Sequence, residues 1–137
     1  MSKAYLLDTS AIFALTDNEE GADLVEELLG KARREQITLS ISAMTAMEVY
    51  YVSSGERGEE EANHLLLLVR NLPVTELALE DALILPAARF KAGYKISVAD
   101  AWIAATAAVH NLTLVHKDPE FVSLASDISM LPLPYKS

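Results

Sequence analysis

Short apolar runs alternate with longer stretches of helical periodicity along the whole chain. Residues 5–7, 38–41, 74–77, 112–115 and 128–131 are brief apolar or alternating runs, and the pattern predicts a strand at each. Between them apolar residues recur at helical spacing. Ala22, Leu24, Val25, Leu28, Leu29 and Ala32 make one stripe, with charges on the opposite face. Ser42 caps a helix that carries Glu48 and stops near Ser53-Ser54-Gly55. Glu59-Glu60-Glu61 opens a helix to Asn71, where acids suit the helix dipole. A helix over 80–91 is closed by Gly93, and Ser97 starts an alanine-rich helix to His110. A short helix follows Asp8-Thr9-Ser10, and Pro119 opens another.

Strands that alternate with helices, and are themselves short and apolar, predict an α/β fold. The expectation is one domain over residues 1–137, with a short parallel sheet of about four to five strands and helices on both faces. Ligands in such folds bind at the C-terminal ends of strands. Asp8 and Asp118 each stand just after a predicted strand.

Against this apolar background, three carboxylates are conspicuous. Asp8 is the only charged residue between Lys3 and Asp17, Glu48 between Glu35 and Glu56, and Asp100 between Lys95 and Lys117. Burying an ionised carboxylate without a partner costs several kcal/mol or forces protonation. Three of them brought together around a cation would resolve that cost, so a metal site is expected. Capping competes with this reading at most positions. Asp8 can cap the helix after it, Ser97-x-x-Asp100 resembles a capping box, and Asp118-Pro119 is a helix-start signal in which Lys117 is a candidate partner for the carboxylate. Glu48 has no such account, since it falls past the first turn among Met44, Met47, Val49, Tyr50 and Tyr51. A surface-facing glutamate is the alternative there.

Composition narrows the chemistry. The chain has 137 residues, 51% of them hydrophobic, enough for a real core. With no cysteine, disulfides, thiolate zinc sites and cysteine nucleophiles are excluded. No HExxH motif occurs, so oxygen ligands point to a hard cation, Mg²⁺ with Mn²⁺ as substitute. His64, His110 and His116 read as structural or helix-end residues. The start, MSKAYLLDTS, has no signal-peptide core, and polar residues interrupt residues 96–116, so no membrane association and a cytoplasmic location are expected. The net charge of −9 argues against coating nucleic acid through a broad basic surface. It leaves room for a local basic group such as Arg89, Lys91 and Lys95, which reads equally as a solvated helix face.

The order of these features resembles the PIN domain, and especially the VapC-like toxins of toxin–antitoxin pairs. The matching segments are YLLDTSAIFAL, ISAMTAMEVYY, KISVADAWIAATA and LTLVHKDPEF, which together span essentially the whole chain. The resemblance implies a metal-dependent endoribonuclease acting on RNA, a cognate antitoxin as partner, and a homodimer. It carries an acidic quartet onto Asp8, Glu48, Asp100 and Asp118, with Ser10 as the small hydroxyl residue beside the first aspartate. His116 departs from the family pattern, where threonine is common. On this reading Asp8 and Asp100 anchor the ion, Asp118 is a further ligand, and Glu48 orients or deprotonates the attacking water.

Other functions are also open. A similar nuclease in RNA processing, rather than toxicity, is one. A catalytically inactive interaction module with this fold is another, although four converging acids would serve it no purpose. A phosphoryl-transfer enzyme with Asp8 as nucleophile is disfavoured, because Ser10 stands where such enzymes usually place a second aspartate.

Overall fold

The structure is a computed structural model and describes residues 3–134. Five strands form one sheet: β1 (Lys3–Leu7), β2 (Ile37–Ser42), β3 (Thr75–Leu77), β4 (Thr113–His116) and β5 (Met130–Pro132). Their spatial order is β3-β2-β1-β4-β5, and every pairing is parallel. Six α-helices cover it: α1 (Thr9–Thr16), α2 (Ala22–Arg33), α3 (Ala43–Arg57), α4 (Glu59–Arg70), α5 (Ile84–Gly93) and α6 (Val98–His110). Two 3-10 segments, Asp81–Leu83 and Pro119–Leu124, complete the described elements. The α/β architecture with a parallel sheet of five strands is as the sequence predicts.

Alternation along each strand feeds two cores. Leu7, Leu39, Ile41 and Val115 point to the side packed by α1, α2 and α4, where Ile12, Val25, Leu29 and Val69 are buried. Leu6 and Leu114 point the other way, against Ile103, Ala104 and Ala107 of α6 and against Phe121 and Leu124. Both sides of the central strands are therefore apolar, which is why they read as continuous hydrophobic runs. The small side chains of α6 let the helix lie close to the sheet, and its first turn comes with it.

Helix ends follow local rules, but the helix expected over 80–91 begins only at Ile84, behind the 3-10 turn, and α3 ends later than expected. Helix α3 does not stop at Ser53-Ser54-Gly55 but runs on to Arg57. Ser53 is buried within it, and the stop falls to Gly58 at φ 91°. That backbone region suits glycine, whereas Gly55 is helical and has open space around it. Asn111 ends α6 in the left-handed conformation at φ 54°, which asparagine tolerates.

The connections set the location of any site. The chain leaves β1 toward β2 on one side, then crosses back after β3 through α5 and α6 to place β4 on the other side of β1. The order reverses between β1 and β4, and a crevice opens beyond their carboxyl ends, the usual ligand position in such sheets.

Candidate metal centre

Asp8 is the first residue past β1, and Lys117 and Asp118 are the first past β4, so both sets open onto this crevice. The Asp8 backbone N–H donates to Val115 O at 2.9 Å, continuing the strand pairing by one bond. Asp8 also caps α1, with Oδ2 accepting from the Ser10 N–H at 3.0 Å and from the Ser10 hydroxyl. The Ser10 hydroxyl in turn accepts the Lys117 backbone N–H at 2.8 Å.

Capping and ligation prove compatible, because each cap uses one carboxylate oxygen. Asp8 spends Oδ2 on Ser10, while Oδ1 is buried with no hydrogen-bond partner. Asp118 caps the 3-10 helix through Oδ1, which accepts the Glu120 N–H at 2.9 Å. At α6 the cap is Ser97, whose hydroxyl accepts the Asp100 N–H at 3.1 Å. The Asp100 carboxylate takes no part in that bond and stays buried in the first turn.

Three carboxylates come closest. Asp100, Asp118 and Glu120 each offer an oxygen within 4.8 Å of the others. Asp8 and Glu48 lie outside this triad but within its field. Glu48 acts on Asp8, and Asp8 acts on Asp100. Glu48 is half-buried on α3, and its Oε1 accepts from the Thr9 hydroxyl at 2.7 Å. The helix around it is less uniformly core than the sequence suggests, since Met47 and Tyr51 are 51% and 70% exposed.

Two features of the site go beyond the sequence pattern. Glu120 is not among the carboxylates that the pattern singles out, although the Asp118-x-Glu120 spacing is visible; a 3-10 turn brings both carboxylates to one place. Lys117 does not pair with Asp118. Its ammonium reaches Glu20 O at 2.8 Å and Glu19 Oε1 at 3.4 Å, leaving the acids of the crevice without that cation.

Electrostatics reflect this crowding. Burial pushes the Asp8 carboxyl up to about 6, with Glu48 adding to the rise and the Ser10 hydrogen bonds opposing it. Burial also drives Asp100 well above the carboxylate range, helped by a hydrogen bond with Glu120 and by the charges of Asp8, Asp118 and Glu120. Crowding of this kind favours the protonated carboxyl, and the cluster titrates as a unit. His116 is buried against Phe121, with ring centroids 5.2 Å apart, and burial lowers its pKa. Its Nδ1 accepts the Asp118 N–H at 3.2 Å, so the imidazole is neutral with its proton on Nε2.

A divalent cation fits this donor set. The candidate ligands are all hard oxygens, and one of them is buried without a partner. Lys31, Arg57, Arg70, His110 and Lys117 each pair with an acid outside this cluster. An all-parallel α/β sheet with clustered carboxylates at its switch point marks an acidic α/β domain. The PIN domain family model matches residues 5–126, and the chain belongs to that family. No curated protein sequence matches significantly. Among solved structures, a chain of VapBC2 from Rickettsia felis bound to a promoter DNA fragment superposes with a TM-score of 0.77 at 19% identity, covering 96% of this chain and 99% of that one. A chain of DNA-bound VapBC from Salmonella typhimurium gives 0.74 at 20% identity, covering 96% and 98%. VapC20 from Mycobacterium tuberculosis, described as a toxin cleaving the sarcin-ricin loop, gives 0.69 at 14% identity, covering 95% and 99%. At these identities the likeness is one of fold.

Proposed function

We propose that the chain is a Mg²⁺- or Mn²⁺-dependent endoribonuclease and the toxin of a toxin–antitoxin pair. The observation that supports this most is the partnerless, buried Asp8 Oδ1 beside the Asp100–Asp118–Glu120 triad. Family membership and the likeness to VapBC chains support the choice of reaction and biological setting.

Asp8, Asp100, Asp118 and Glu120 would hold the ion. When bound, it lowers the pKa of a water ligand and neutralises charge on phosphate oxygens. Ser10 holds Asp8 in place and ties it to the β4 end through Lys117. Asp100, whose proton burial and neighbouring acids favour, would release it to solvent on loading. Glu48 would orient the attacking water and accept its proton; its coupling to Asp8 and its position outside the triad support that role. RNA cleavage with and without EDTA tests the reading, with Asp8→Asn and Asp100→Asn as controls. Cutting that survives EDTA, or both substitutions, overturns it.

The partner proposals rest on surface chemistry. A groove of about 410 Å³ runs along α3 and α4, lined by Ala43, Met47, Tyr50, Tyr51 and Leu66, with Leu67 and Leu68 exposed nearby on α4. An antitoxin segment with an amphipathic helix would suit it, and an arginine would suit the acidic crevice. Ile84 and Leu85 of α5 and Val98 and Val109 of α6 are exposed apolar residues that suit a homodimer. Among the described residues no helix is long and apolar enough to cross a membrane. A cytoplasmic location is proposed with the RNA substrate.

A further inference from the structure

Asp8 and Ser10 both serve the crevice between β1 and β4, but Thr9 between them engages a different element. Its hydroxyl donates to Glu48 Oε1 at 2.7 Å, crossing from α1 to α3, and lies 3.2 Å from the Thr45 hydroxyl. Thr9 and Thr45 are 9% and 0% exposed, so water does not substitute freely for either hydroxyl. Thr45 and Glu48 are three residues apart on α3 and share a face.

A hydroxyl carries one proton. Thr9 faces two acceptors, Thr45 Oγ1 at 3.2 Å and Glu48 Oε1 at 2.7 Å, and the shorter, charge-assisted contact takes the proton. The dominant bond therefore runs from Thr9 to Glu48, with the Thr45 hydroxyl packed beside it. It ends on Oε1, and nothing among the described residues donates to Oε2.

We infer that Thr9 is a positioning residue for Glu48 in the reaction proposed above. Its hydroxyl, backed by Thr45, fixes the carboxylate so that Oε2 faces the water to be activated. The inference rests on the nuclease reading. Glu48 needs such a restraint for two reasons. Its side chain has three rotatable bonds, and the charge of Asp8 repels it. A donor on the residue next to Asp8 holds the two acids at a set offset against that repulsion. A charge-assisted hydrogen bond is strong enough for the task. A purely structural role for Thr9 predicts lost stability with unchanged turnover in the folded enzyme.

The test compares Thr9→Val, which keeps shape and removes the hydroxyl, with Thr9→Ser, which keeps the hydroxyl. Steady-state RNA cleavage with Mn²⁺ is the readout. Thr9→Val is expected to lower kcat about 10- to 100-fold, the scale of a small misplacement of a reacting group, with KM and the Mn²⁺ needed for half-activation unchanged. Thr9→Ser restores kcat to within about three-fold. In a Glu48→Gln background, Thr9→Val has no further effect, because the group it positions is gone. Thr45→Val produces a smaller loss of the same kind and carries the test if Thr9→Val does not fold. The inference is overturned if kcat is unchanged in the valine variants, if the loss appears in KM or Mn²⁺ dependence instead, or if it persists undiminished in Glu48→Gln. Wild-type protein that cuts no RNA with Mn²⁺ overturns the nuclease reading and this inference together. An active wild type with an equally active Thr9→Val overturns this inference alone.

Discussion

The Ser10 hydroxyl accepts the backbone N–H of Lys117 at 2.8 Å, across 107 residues of chain, while donating its own proton to Asp8. One small side chain thus fixes the spacing between the ends of β1 and β4. Ser10→Ala leaves the Lys117 N–H without its acceptor and Asp8 with only the backbone N–H of its two donors at residue 10. A stability loss of about 1–3 kcal/mol is expected in urea unfolding, and weaker Mn²⁺ binding with it. Unchanged values for both would show that the bridge is dispensable.

Metal-free protein should become less stable as pH rises from about 4 to about 6, the reverse of an ordinary ion-paired carboxylate. Asp8 has its pKa raised from 3.8 to about 6, so between those values the folded state binds a proton that the unfolded state has released. The stabilisation is full below 3.8 and is lost as pH passes through about 6. A rise of that size is worth roughly 3 kcal/mol at most. Asp100 is raised as well and extends the decline to higher pH. Urea unfolding in EDTA at several pH values measures this. The part of the slope due to Asp8 should vanish in Asp8→Asn, and a slope identical to wild type there would contradict the assignment.

Divalent metal should raise the melting temperature, because it binds only where the carboxylates are gathered. At a hundred-fold excess over Kd the gain is about 2.7 kcal/mol. Glu120→Gln should weaken the effect as much as Asp118→Asn does, since both residues belong to the same triad. A calorimetric scan with millimolar Mg²⁺ or Mn²⁺ decides it. No rise in wild type would remove the metal centre, and a full rise in Glu120→Gln would remove that residue from it.

His116 is expected to matter through its ring nitrogen rather than its charge. His116→Leu removes the acceptor of the Asp118 N–H and should cost about 1–3 kcal/mol, with reduced Mn²⁺ affinity. His116→Asn, which offers an amide oxygen, should recover part of both. Equal behaviour of the two variants in calorimetry and metal titration would mean that only ring packing on Phe121 matters.

The sheet and most helices are legible in the sequence because apolar periodicity and caps are local signals. Asp8 is legible for the same reason, standing at the end of an apolar run. Glu120 is not, because Asp118-Pro119 accounts for the turn on its own and an acid in a first turn is commonplace. Only the 3-10 geometry and the approach of α6 bring it to Asp100. Lys117 misleads for a similar reason. Adjacency in sequence suggests Asp118, but strand alternation and the α1–α2 turn send its ammonium to Glu19 and Glu20. The end of α3 misleads because Ser-Ser-Gly is a frequent loop sequence. The helix runs through it to Gly58, where the backbone first turns to a positive φ. Glu48 is legible as an anomaly, yet its restraint by Thr9 depends on how α1 and α3 pack.

The reversal of strand order between β1 and β4 also governs when the acidic cluster can exist. Asp8 and Glu120 lie far apart along the chain, and β1 keeps an open edge until β4 arrives beside it. A nascent chain that has formed β1, β2 and β3 holds Asp8 and Glu48 but neither Asp118 nor Glu120. The cluster is therefore assembled only once β4 has docked beside β1, so its gathering reports a late, long-range step of folding rather than any local one.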